Sequence, residues 1–145
     1  MEIGGWAVDA GALGAFLEES NLARLGTIDE AGEPHVVPVW FAWDGERFLV
    51  GADASDHKVA NLRRSGRASL EVDSDLRRKR GILVRGAAAL IDGDAGRALY
   101  RQVSEAQVRR YQPDKAAPEV AARMVGRGTP VVIAITPRSI VSWGR

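Results

Sequence analysis

Apolar positions change period along the chain, and each change marks an element. In residues 10–20, "AGALGAFLEES", Leu13, Phe16 and Leu17 recur at helical spacing, which predicts a short amphipathic helix. "LARLGTID" (22–29) alternates and reads as a strand, and "EAGEP" (30–34) carries the Gly and Pro of a turn. "HVVPVWFAW" (35–43) is β-branched and aromatic, a second strand. Pro38 inside it cannot donate to a ladder, so it marks an edge, a bulge or a place where a ligand replaces a neighbouring strand. Asp44-Gly45 is a hairpin signal that makes "RFLVGA" (47–52) the partner of that strand.

The second half continues the pattern. "ASDHKVANLRRSGR" (54–67) holds a helix ending near Arg64, followed by a strand at 67–74, a charged connection at 75–80 and a strand at 81–91. A helix is expected over 94–111, with Leu99, Val103, Ala106 and Arg110 near one stripe, and another over 117–125 with Pro118 tolerated in its first turn. Residues 129–143 read as a long strand bent by Pro137. Helices do not alternate with the roughly six strands, which argues against a doubly wound parallel sheet. The expected architecture is mainly β: a small antiparallel barrel with peripheral helices, in one domain spanning residues 1–145.

Composition narrows the function classes. The 145 residues carry a net charge of only +1, against a general nucleic-acid binder, and no apolar run approaches a membrane span. No leader is evident, so a soluble cytoplasmic protein is expected. The absence of Cys excludes disulfides, thiolate metal sites and Cys nucleophiles, and two His, at 35 and 57, argue against a metal centre. No Ser stands in a Gly-x-Ser-x-Gly elbow, and neither a dinucleotide fingerprint nor a nucleoside-triphosphate loop is present.

Against that near-neutral background, residues 54–67 gather His57, Lys58, Arg63, Arg64 and Arg67 around one acid, Asp56. Ser55 or Asp56 would cap the helix, leaving His57 and Lys58 in its first turn, where cations oppose the helix dipole unless an anion sits there. The same run serves equally well as a solvated face. His35 is open to two readings, surface residue or ligand contact. Trp40 and Trp43 suit a core or an interface between subunits. The basic run 77–80 is expected to be solvated, with an acidic ligand tail as the other reading.

Three stretches carry a resemblance: Gly32-x-Pro34-His35-x-x-Pro38-Val39-Trp40, "HKVANLRR" at 57–64, and the closing "ITPRSIVSW". From about residue 12 onward the chain resembles the pyridoxamine 5′-phosphate oxidase-like flavin and deazaflavin oxidoreductases, and within them the branch using coenzyme F420. The resemblance implies a six-stranded split β-barrel of the FMN-binding type, homodimeric, with cofactor sites at the subunit interface. It implies that His57 and Lys58 grip the cofactor phosphate, with Asn61 supporting that turn and Arg63, Arg64 or the basic run 77–80 as further partners. Gly51, Ala52 and Ser55 would line the turn above the phosphate. His35, Val37, Pro38, Val39 and Trp40 would run along the ring, and Trp143 would lie near it. FMN-using relatives typically carry Arg at the position of His35 and Ser-Arg-Lys at 56–58. The acid at 56 therefore favours a cofactor with a longer acidic tail over FMN.

The implied activity is hydride transfer between reduced F420 and a small unsaturated or conjugated substrate; no catalytic residue is assigned, and residue type alone offers Tyr111 or solvent as a proton source. The alternatives are an FMN-dependent reductase or oxidase of the same fold, a non-catalytic cofactor- or haem-related binding protein, and a plain dimeric scaffold.

Overall fold

A computed structural model describes residues 5–19, 22–74 and 80–144. In chain order the elements are α1 (Ala10–Leu17), β1 (Ala23–Ile28), β2 (Pro34–Val39), β3 (Ala42–Trp43), β4 (Phe48–Asp53), α2 (His57–Ser65), β5 (Arg67–Asp73), β6 (Gly81–Ile91), α3 (Gly93–Tyr111), α4 (Ala117–Val125) and β7 (Pro130–Trp143). All seven strands join one antiparallel sheet in the order β2-β1-β5-β6-β7-β4-β3.

The stretch 35–43 is not one strand. It breaks at Trp40-Phe41, and its two halves lie on opposite edges of the sheet. Two residues span only about 10 Å even when extended, so the sheet must curl until its edges nearly meet. The chain itself bridges the split of the barrel, and Phe41 at the bridge is fully buried. The Asp44-Gly45 hairpin therefore joins only β3 to β4, with Trp43 opposite Phe48. β2 pairs instead with β1 across the 29–33 turn, where Asp29 Oδ1 accepts from Ala31 N and Glu33 N and Gly32 takes a positive φ. Pro38 lies opposite Arg24 on an edge strand, where the missing N–H costs no ladder bond.

The core fills the curl. Phe16, Leu25, Phe48, Leu70, Ile82 and Ile133 lie at its centre, essentially without exposure. β4 and β7 are also covered outside, where Leu49, Val132 and Ala134 pack on Val103 of α3, so residues 130–135 are apolar without alternation. The expected stripe of α3 is corrected in phase. Ala106 is exposed, and Ser104, Gln107 and Val108 share the buried face with Val103. Arg110 lies over the Phe41 ring at 4.6 Å and donates to the carbonyls of Leu17 and Glu19. Residues 75–79 of the charged connection lie outside the described residues. Arg80 is not solvated as expected: its guanidinium sits 4.7 Å over the Trp6 ring and 5.5 Å over Phe16. No helix among the described residues is long and apolar enough to cross a membrane.

Candidate functional site

The basic stretch that stands out in the sequence begins α2, and its first turn is wired differently from the expectation. Asp56 is the N-cap residue, but its carboxylate makes no cap bond to the helix. Asp56 Oδ2 accepts from Asp53 N at 3.0 Å and from Lys58 Nζ at 2.9 Å. The Ser55 hydroxyl donates to Asp53 Oδ1 at 2.6 Å, so it does not cap either. Burial pushes the Asp56 carboxyl up, but the Lys58 hydrogen bond, the Asp53 N–H and the Lys58 charge together hold it below its ordinary value. The Lys58 cation that opposes the helix dipole is thus neutralised from within the chain. Asp53 fastens the approach to this turn: Oδ2 accepts from Thr129 N at 2.7 Å, linking the end of β4 to the start of β7.

One turn further, a buried chain of polar groups ties α2 to the sheet. Asn61, 5% exposed, donates through Nδ2 to the Thr27 hydroxyl at 3.0 Å, and Thr27 is 4% exposed. Arg64 Nη2 donates to Asn61 Oδ1 at 3.2 Å and to the Ile28 carbonyl at 3.1 Å. These bonds fix the guanidinium beside β1, while its Nε and Nη1 make no bond among the described residues.

A cavity of about 390 Å³ opens here, lined by Ser55, His57, Asn61 and Arg64 from α2 and its approach, and by Asp29 and Glu30 from the 29–33 turn. Its charge is mixed, with two carboxylates facing one fixed guanidinium. His35 on β2 comes alongside: its ring lies within 12° of parallel to that of His57, with centroids 6.3 Å apart. His35 Nδ1 is buried and has no partner.

The structure therefore gathers His35, Ser55, His57, Asn61 and Arg64, and places the other candidates elsewhere. Lys58 is committed to Asp56 and is not in the cavity wall. Gly51 and Ala52 face away from it. Gly51 packs under Tyr100, whose ring would meet an added Cβ at 2.9 Å, and Ala52 is in the core. Val37 and Val39 also turn toward the core, and Pro38 is exposed. Trp40 stacks on Tyr111, with centroids 5.1 Å apart, at the end of β2 opposite His35. Burial raises the Tyr111 phenol above its ordinary value. Trp143 pairs with Gly81 at that same far end of the sheet. Arg64 is among the residues the resemblance implies, whereas Thr27 is not. Only the i, i+3 spacing of Asn61 and Arg64 hints at the chain, and Thr27 lies 34 residues away.

The curled antiparallel sheet with its four helices is the split-barrel fold. The family model described as pyridoxamine 5′-phosphate oxidase matches residues 10–144, and the chain belongs to that family. Among solved structures, a conserved hypothetical protein from Mycobacterium tuberculosis aligns with TM-score 0.82 at 23% identity, covering 99% of this chain and 89% of that one. A structure described as an F420 reductase aligns with TM-score 0.67 at 25% identity, covering 88% and 94%. A pyridoxamine 5′-phosphate oxidase-related, FMN-binding protein from Nostoc punctiforme aligns with TM-score 0.67 at 14% identity, covering 94% and 84%. No curated protein matches the chain.

Proposed function

We propose that this protein is an oxidoreductase that binds the deazaflavin coenzyme F420 and transfers hydride between it and a small unsaturated or conjugated substrate. The observation that carries the reading is the cluster formed by α2 and the β2 edge: a buried, unpartnered His35 Nδ1 beside His57, with an Arg64 guanidinium held in place but not consumed. Such a donor set suits a phosphate, because Arg64 keeps free N–H groups, His57 is exposed at the helix start and His35 lacks a partner. A bound deazaflavin would supply the hydride chemistry. The chain's own residues would fix its phosphate, orient it along the β2 edge and exclude water on the barrel side.

Lys58 enters this reading differently from the family expectation. Paired with Asp56, it contributes little net charge to an anion, so Arg64 and the two histidines carry the phosphate. The neutralised Lys58 and the acids at 29 and 30 favour a cofactor whose negative charge is spread along a tail rather than concentrated in one phosphate. The likeness to an F420 reductase at 25% identity supports the same choice. A homodimer, with sites at the subunit interface, and a cytoplasmic location belong to this proposal.

The test is a fluorescence titration of the purified protein with F420 and, separately, with FMN and haemin. Micromolar or tighter F420 binding that weakens about tenfold in Arg64→Gln, with FMN and haemin weaker, is the expected result. A preference for FMN moves the protein to the flavin-dependent branch. Tight haemin binding without F420 binding overturns the enzyme reading.

A further inference from the structure

A second cavity of about 390 Å³ lies on the outer face of the sheet, across β1, β2, β5, β6 and β7. Its floor is low, made of Gly26, Ser69 and Gly86, and its walls include Ile28 and Val36. Three arginines line it, Arg67, Arg85 and Arg138, and no carboxylate does. None of the three guanidiniums has an ion-pair or hydrogen-bond partner among the described residues. By contrast, Arg24, Arg47, Arg63 and Arg109 each meet a carboxylate. Gathering three like charges around one hollow costs free energy by mutual repulsion, and no carboxylate among the described residues lines it.

Two backbone features point the same way. The β6–β7 ladder slips at Arg85/Gly86: Arg85 pairs with Ser139 and Gly86 with Pro137, leaving Arg138 as the extra residue of a bulge. Arg138 and Ser139 are consecutively exposed as a result, and the bulge turns Arg138 onto the face that carries Arg85. Gly86 is needed at that bulge, since a Cβ would collide with the Thr136 carbonyl. Gly26 has no such reason among the described residues. Its φ is not positive, and a Cβ would make only ordinary contact with Ser69 at 3.7 Å. Glycine inside a strand weakens it, so one that packing does not require marks close approach by something outside the protomer.

We propose that this groove is a binding site for a small polyanion, a molecule with a flat apolar body bearing two or more carboxylates or phosphates. The Gly26–Ser69–Gly86 floor takes the body, and Arg67, Arg85 and Arg138 take the charges in the bidentate manner guanidiniums favour. The groove shares His35 with the α2 site, so the anion is either a separate substrate or a charged extension of the cofactor bound next door. The site stands on the three unpaired arginines and does not depend on the cofactor reading.

The test uses cofactor-free protein and trimesate, a benzene ring with three carboxylates, in a calorimetric titration. Saturable binding is expected, with benzoate much weaker. Arg85→Gln and Arg138→Gln should each lose at least about tenfold in affinity, the effect of one charge-assisted contact. Arg63→Gln, which breaks an exposed pair with Asp92 outside the groove, should change nothing. Gly26→Val fills the floor without touching the charge and should abolish binding while the protein still melts cooperatively. Absence of saturable binding at millimolar trimesate overturns the proposal, as does an equal loss in Arg63→Gln. A change of oligomeric state in Arg85→Gln without trimesate binding to the parent also overturns it, and assigns the face to a second copy of the chain. Adding F420 separates the sources. Trimesate retained beside F420 indicates a separate anionic substrate, and trimesate displaced indicates the cofactor's own acidic groups.

Discussion

Asn61→Leu tests the polar chain that joins α2 to β1. The substitution roughly conserves volume, so no large cavity opens, but it removes the acceptor of Arg64 and the donor to Thr27. Thr27 is 4% exposed, and its hydroxyl would be left without its Asn61 partner inside the protein. Stranding such a group costs about 1–3 kcal/mol, whereas the bond from the exposed Arg64 adds little on its own. A loss of about 2 kcal/mol corresponds to a fall of roughly 4–8 °C in melting temperature for a chain of this size. Thr27→Val alone should cost a similar amount, because it strands the Asn61 amide instead. The double variant Thr27→Val/Asn61→Leu removes both partners and leaves two apolar groups in contact, so it should be clearly more stable than the sum of the single losses. The assay is urea unfolding of the four proteins in parallel. Strict additivity, or no loss in Asn61→Leu, would refute the claim that this is a buried, mutually satisfying pair. The same series read by F420 titration should show weaker binding in every variant lacking Asn61, because Arg64 loses one of its two tethers.

Asp56→Asn releases Lys58 from its ion pair. The protein should lose no more than about 1 kcal/mol, since the pair is partly exposed, while phosphate-bearing cofactors bind up to about tenfold tighter. Weaker cofactor binding in a titration would contradict the neutralised role given to Lys58. Acid sensitivity follows from Asp44, Asp53 and Asp56, all held below the ordinary carboxylate value in the folded protein. Groups depressed on folding contribute stability that is present above about pH 4 and lost as pH falls through their folded values. Melting temperature against pH should therefore drop below pH 4, and less steeply in Asp53→Asn/Asp56→Asn; an unchanged slope would count against the linkage. Gly81→Ala sets a methyl against the Trp143 indole and should cost about 1–3 kcal/mol with an altered near-ultraviolet tryptophan spectrum. An unchanged spectrum would show that the indole does not pack there.

Local rules carried most of the elements into view. Helical spacing of Leu13, Phe16 and Leu17 and the β-branched runs of β5, β6 and β7 depend only on neighbours a few residues apart, and each forms where its period places it. His57, Asn61 and Arg64 came into view through the resemblance of the 57–64 block, and α2 places all three in the wall of one cavity. The break at Trp40-Phe41 was not, because both residues favour strands, and only closing the curled sheet requires them to leave one edge for the other. The partner of Asp56 was hidden as well. A carboxylate at a helix start can cap the helix or turn back, and the position of the Asp53 N–H and Lys58 decides between them. Arg67, Arg85 and Arg138 lie on three different strands, and nothing in their spacing along the chain brings them together. Their convergence depends on the β5–β6–β7 register and on one extra residue beside Pro137. The sequence by itself determined which segments are strands and helices, since those choices rest on short-range sterics and periodicity. Only the tertiary structure decided which charges meet, because that is set by strand register and closure between residues far apart in the chain.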